Sequence, residues 1–191
     1  MPIVLPRRIP TITLPRGTVL WRVHRREHGA LWFGPAAGTP PRGRFDAPTG
    51  EFGICYFGES LGVAMLESLV RGSRRLLDRA DLEARAASTV ALREPVKLLQ
   101  FEGPGLAKLG IGAEQAHTAD YGDCQRMMLD LSQSPMAVDG VQYRSRWDTS
   151  LLCWGLFDRA QNKLEAPHKP EWLGDGAVIG PTLDRYELEI T

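Results

Sequence analysis

The chain has 191 residues, 43% of them hydrophobic and 24% charged, enough apolar side chain for one globular domain with a substantial core. Lys plus Arg and Asp plus Glu are equal at 23 each, which excludes a global field that would steer the protein to nucleic acid, an anionic membrane or an acidic substrate, so any basic site is local. Only four of the cations are Lys (Lys97, Lys108, Lys163 and Lys169); the others are Arg, the better fork for phosphate or carboxylate oxygens.

Residues 1–16 hold four of the fourteen prolines and read as an extended arm or a wrap along the surface that needs no core element. Prolines in MPIVLPRRIP fall where a secretory leader needs an unbroken apolar helix, and no stretch reaches the roughly 18 apolar residues of a membrane span. Residues 17–191 then form the folded domain. TVLWRV (18–23) reads as a strand. GPAAGTPPRGRFDAPTGEFG after it is too rich in Gly and Pro for regular structure, and a loop of that length in a compact domain is usually a lid or a binding loop.

FGICYF (52–57) reads as a second strand, and Ser60 is a good N-cap for a helix ending near Arg71 at Gly72. Arg74 to Arg93 is charged and helix-permissive. VKLLQF (96–101) reads as a strand on its Val, Leu and Phe content. Cys124, Met127, Met128 and Leu131 recur at helical spacing, which predicts an amphipathic helix over GDCQRMMLDLSQ with an ordinary core stripe. VDGVQY (138–143), SLLCWGLF (150–157) and RYELEI (185–190) complete a set of short strands. The sum is a mixed α/β or α+β domain with a mixed β-sheet core. Cys55, Cys124 and Cys153 are odd in number, far apart and embedded in apolar sequence, as expected of small core residues in a reducing compartment, the cytoplasm.

Two patterns carry candidate chemistry. HRREH (24–28) matches the H-x-x-E-H pattern of inverted zinc peptidases, in which His24 and His28 would share a helix face and Glu27 would polarise water. A strand-like segment precedes it and Gly29 ends it at once, so a solvated turn after a strand explains it better than a metal site. The second pattern is Arg22, the only charge in TVLWRV, with Arg44 in a flexible GRF triplet and Glu67 among Met65, Leu66, Leu69 and Val70. A carboxylate in such a run costs free energy unless it is paired. Residue types alone leave two readings open: an internal Arg/Glu pair that fixes the fold, or a site.

The order WR, then GRF, then a strand with Tyr56, then Glu67 in LESLV eleven residues later, then Ser145 in VQYRSRWD resembles the RES domain, the toxin half of Xre/RES toxin–antitoxin pairs. The resemblance runs from about residue 17 to 160. It implies an ADP-ribosyltransferase-like fold, NAD⁺ as the substrate rather than a bound cofactor, an Xre-type antitoxin as partner, and cleavage of the nicotinamide–ribose bond. On that reading Glu67 and Arg22 are catalytic. Arg44, Tyr56 and Ser145 bind NAD⁺, with Arg22 and Arg44 on pyrophosphate or ribose oxygens, Tyr56 on the nicotinamide ring and Ser145 on ribose or amide. A carboxylate beside the ribose would stabilise its developing positive charge. A non-catalytic nucleotide-binding module is the other class the same residues allow, and the oligomeric state, a homo-oligomer included, is left open.

Overall fold

A computed structural model of the protein describes residues 3–34, 38–70 and 75–191. The strand, turn and helix expected after the long loop form as read. Ile54–Gly58 is strand β3, with every residue but Tyr56 buried, and Ser60 accepts the Val63 N–H at 3.3 Å to start helix α1, Leu61–Leu69. Helix α1 ends with Val70 as its cap; Arg71 and Gly72, where its end was expected, lie outside the described residues. The amphipathic stretch forms helix α5, Gly122–Gln133, and buries Cys124, Met127, Met128 and Leu131.

Among the described residues these elements belong to an eight-stranded mixed sheet of order β1-β6-β7-β8-β3-β2-β5-β9. Its strands are β1 Thr11–Leu14, β2 Val19–Arg25, β3, β5 Arg85–Ala91, β6 Val96–Phe101, β7 Gly140–Arg144, β8 Leu152–Phe157 and β9 Glu171–Trp172. Within that sheet only β6 and β7 pair in parallel, and the crossover between them carries α3 Pro104–Leu109, α4 Ala113–Ala116 and α5. A two-stranded sheet joins β4 Leu76–Leu77 to β10 Glu189–Ile190. The short helix α2, Arg79–Glu83, leads into β5, and α6, Gly176–Tyr186, precedes β10.

Helix α5 covers one end of the sheet, packing Met127 and Leu131 with Phe45, Phe101 and Tyr143. Helices α1 and α6 cover the other end, where Met65, Leu66 and Ile179 meet Val23 and Ala87. A third cluster around Leu20, Phe57, Leu98 and Trp154 completes the core. The three cysteines are buried and free. No described helix is long and apolar enough to cross a membrane.

Three expectations need correction. Thr11–Leu14, expected in an arm without core elements, is the edge strand β1 on β6, and Ile3 and Ile9 are buried beside it. Among its described residues, the helix-permissive stretch from Arg74 to Arg93 holds only five helical ones, α2. Arg85–Ala91 is strand β5, because β2 and β9 pair with it from both sides. RYELEI is a strand only at Glu189–Ile190, since Arg185 and Tyr186 finish α6.

One junction positions the site. Strand β2 pairs with β5 at all seven of its residues but with β3 only at Trp21↔Gly58. Gly58 is required there, because a Cβ would come within 2.5 Å of Val63 Cγ1. Past this pair the two strands part, and the sheet splits into β1-β6-β7-β8-β3 and β2-β5-β9.

Candidate active site

The gap between β2 and β3 opens a cleft with two lobes. The larger, about 550 Å³, is lined by Arg22, His24, Trp32, Arg42, Asp46 and Tyr56 among others. The smaller, about 270 Å³, is lined by Arg44, Tyr56, Glu67, Tyr121, Tyr143 and Arg146 with their neighbours. Arg42, Gly43, Tyr56 and Ser68 line both, so the lobes are continuous.

Glu67 is not buried in the core as its neighbours in sequence suggest. Helix α1 buries residues 63–66 and 69, and leaves Glu67 and Ser68 half-exposed on the wall of the cleft. Its Oε1 accepts the Ser145 hydroxyl at 2.7 Å and the Arg146 backbone N–H at 3.2 Å. Both bonds fall on one oxygen, so Oε2 is not engaged by them. Ser145 is fully buried behind it, and its Oγ in turn accepts the backbone N–H groups of Trp147 at 3.1 Å and Asp148 at 3.3 Å. Ser145 therefore touches Glu67 from behind rather than lining the smaller lobe itself.

Neither arginine pairs with that carboxylate. Arg22 donates to Cys55 Sγ and, from Nη2, to the Trp32 carbonyl at 2.9 Å. Burial lowers its pKa from 12.5 to about 10. Arg44 is buried, donates to the Ala116 carbonyl at 3.0 Å, and lies near the rings of Phe45, Tyr121 and Tyr143. Among the described residues no carboxylate sits within ion-pair distance of either guanidinium. One buried cation, Arg44, and one half-buried cation, Arg22, thus line the cleft with no carboxylate partner among the described residues, an arrangement that costs free energy.

Tyr56 fixes the loop that carries Arg44. Its hydroxyl donates to Asp46 Oδ1 at 2.8 Å and accepts the Phe45 N–H at 3.1 Å. Burial, reinforced by Asp46, pushes its pKa well above the usual phenol value. Asp46 Oδ2 takes the N–H groups of Arg42 at 2.9 Å and Gly43 at 2.6 Å, wrapping residues 42–46 into a tight turn. A Cβ on Gly43 would meet Asp46 Oδ1 at 2.5 Å and the Tyr56 hydroxyl at 2.6 Å, which explains the Gly of the GRF triplet. Tyr143 is buried, its phenol held protonated by burial first and by Cys153 and Glu67 next.

The structure thus brings Arg44, Tyr56 and Glu67 to one lobe, sets Arg22 in the adjoining one and places Ser145 behind Glu67. Asp46, Tyr121, Tyr143, Arg42 and Arg146 were not singled out from sequence. Tyr143 and Arg146 flank Ser145 in VQYRSRWD, and Asp46 directly follows GRF, so those words were too narrow. HRREH does not form the helix that a zinc pair needs: His24 and Arg25 finish β2, and Glu27 and His28 lie in the turn after it. His24 Nε2 lies 3.0 Å from Ser88 Oγ, and no group of three or more His, Cys, Asp or Glu with metal-holding geometry occurs among the described residues.

A family model described as the RES domain matches residues 19–174, which hold every one of these side chains. The chain belongs to the RES domain family. The RES fold is also that of a chain in the crystal structure of the M. tuberculosis MbcT–MbcA toxin–antitoxin complex, with a TM-score of 0.62 and 16% identity over 83% of this chain and 85% of that one. At that identity the likeness is one of fold. No curated protein matches this RES chain in sequence.

Proposed function

We propose that this RES protein is the toxin of a toxin–antitoxin pair and that it cleaves the bond between nicotinamide and ribose in NAD⁺. The layout of charge in the cleft carries this reading. NAD⁺ has a cationic ring at one end and an anionic diphosphate in its middle. The cleft offers a carboxylate, Glu67, in its smaller lobe and two arginines without counter-ions, Arg44 beside Glu67 and Arg22 in the larger lobe.

The chemistry needs little else. As the C1′–N bond breaks, its electron pair moves to the ring nitrogen and neutralises the pyridinium, while positive charge grows on the ribose. Glu67, oriented through Oε1 by Ser145 and Arg146, stabilises that charge more than it stabilises the ground state. Arg44 and Arg22 hold the phosphate oxygens, and the aromatic rings of the smaller lobe flank the leaving nicotinamide. An acceptor nucleophile then bonds to C1′: water or a protonated side chain loses its proton to solvent, whereas phosphate attacks through an oxygen that carries none. The complex that shares this fold contains an antitoxin, and an Xre-type antitoxin covering the cleft is the partner this reading expects.

Two measurements test it. Expressed without its partner, the protein lowers cellular NAD⁺ and arrests growth. Incubated with NAD⁺ in purified form, it releases free nicotinamide, seen by mass analysis. Full toxicity with unchanged NAD⁺, or NAD⁺ that binds and returns intact, overturns the proposal, and the second result makes the protein a nucleotide-binding module.

A further inference from the structure

The larger lobe is twice the size of the one that holds Glu67, so the cleft continues well past the reacting end. Part of its lining is aromatic. Trp32 is 41% exposed, one of few large apolar side chains left open to solvent among the described residues. It stacks on His28 with ring centroids 5.0 Å apart and planes 14° from parallel. The indole lies against Gly34, where a Cβ would fall within 2.3 Å of its ring, so glycine at that position leaves room for it. A flat, solvent-exposed aromatic pair in the lining of a cleft costs exposed apolar area and fits a planar heterocycle.

The wall beside it is cationic. Arg22 donates to the backbone carbonyl of Trp32 itself, which ties the guanidinium to the platform, and two of its five N–H groups are used by the contacts with Trp32 and Cys55. Arg42 lines the lobe as well. The single carboxylate among its lining residues, Asp46, already has both oxygens engaged, by Tyr56 and by the Arg42 and Gly43 N–H groups. An aromatic platform next to a guanidinium with no carboxylate partner, in a lobe whose lining holds no free carboxylate, is matched by a purine carrying a diphosphate; the exposed Glu27 carboxylate, 3.6 Å from His28 Nε2, lies outside that lining and is shared with Arg25.

We propose that the Trp32–His28 pair, with Arg22, forms an adenine-diphosphate subsite that makes the protein selective for the dinucleotide over its nicotinamide half. This assignment rests on the reading of the cleft as an NAD⁺ site. The purine stacks on the Trp32–His28 wall, Arg22 holds the adenosine-side phosphate, and the chain of the substrate runs past Arg42 and Tyr56 to Glu67.

The test compares NAD⁺ with nicotinamide mononucleotide, which has the scissile bond but no adenylate, and adds calorimetry with ADP, which needs no turnover. With the full chain, Trp32→Ala reduces the kcat/KM preference for NAD⁺ over the mononucleotide by about 5- to 150-fold and weakens ADP binding by a similar factor, the range set by stacking of one base on one aromatic side chain. Trp32→Phe keeps a ring and stays within about threefold of wild type in both measurements. An unchanged preference in folded Trp32→Ala, or a loss that Trp32→Phe shares in full, overturns the subsite. If wild type cleaves neither nucleotide, glycosidic cleavage is refuted, and ADP binding alone decides: dependence on Trp32 supports the subsite, and indifference to Trp32 refutes it.

Discussion

Replacing Glu67 by Gln separates charge from shape. The amide keeps an oxygen where Oε1 accepts from the Ser145 hydroxyl and the Arg146 N–H, and puts an NH₂ group in place of Oε2. Each of the two hydrogen bonds changes from charged to neutral, a loss of about 1 kcal/mol apiece. Neither Arg22 nor Arg44 loses an ion-pair partner, because neither has one there, so the roughly 3–5 kcal/mol penalty for breaking a buried pair does not arise. A total near 2 kcal/mol lowers the thermal midpoint of a chain this size by about 4–8 °C. Turnover falls much further, by about 10² to 10³, as when one preorganised electrostatic stabiliser is removed. NAD⁺ cleavage and the thermal midpoint are measured on the same preparation. A variant whose midpoint drops while turnover per folded molecule stays normal would refute the catalytic role of Glu67.

Ser145→Ala deletes the hydroxyl that orients Glu67 and leaves the Trp147 and Asp148 N–H groups without their acceptor; we expect about 1–3 kcal/mol of lost stability by denaturant titration, with turnover reduced but less than in Glu67→Gln. His24 has its pKa lowered below 6.5, chiefly by burial, although the Arg25 carbonyl opposes the shift. The unfolded chain therefore binds the extra proton first, and the stability His24 contributes is complete above about pH 6.5 and lost as the pH falls below it. The drop in thermal midpoint between about pH 7.5 and pH 5 is thus larger for wild type than for His24→Gln, and equal drops would contradict the assignment.

How much of this was legible in the sequence depended on whether local pattern or long-range pairing decided the outcome. Helix α5 was legible because its core contacts, Cys124, Met127, Met128 and Leu131, lie on one helical stripe that its own sequence prints. The turn from β3 into α1 was legible because Ser60 caps it locally. Strand β5 was not: Arg85, Ala86, Ala87 and Ser88 favour a helix by composition, and only β2 and β9 on either side make them extended. Helix α6 was hidden by Gly176, Gly180 and Pro181, poor helix formers, in a segment that packs Ile179 and Thr182 inward and starts on an Asp175 cap. The site followed the same division. The residue types singled out Arg22, Arg44 and Glu67 and the RES-like order added Tyr56 and Ser145, but an apolar neighbourhood in sequence made Glu67 look buried. Its exposure is set by where two strands part, which no local pattern records.

That parting also settles a problem every open sheet faces. The outer margins of this one are short: β9 has two residues and β1 has four, with Pro10 and Pro15 on either side of β1, so neither offers a long unpaired row on which another molecule could template itself. The split between β2 and β3 creates two more margins, closed at one end by Trp21↔Gly58 and at the other by the bridge of Gly34 to Ile54. These face each other across the cleft rather than outward. The peptide groups between them, around Val23 and Tyr56, are sheltered from aggregation by the body of the protein itself while staying within reach of whatever small molecule enters.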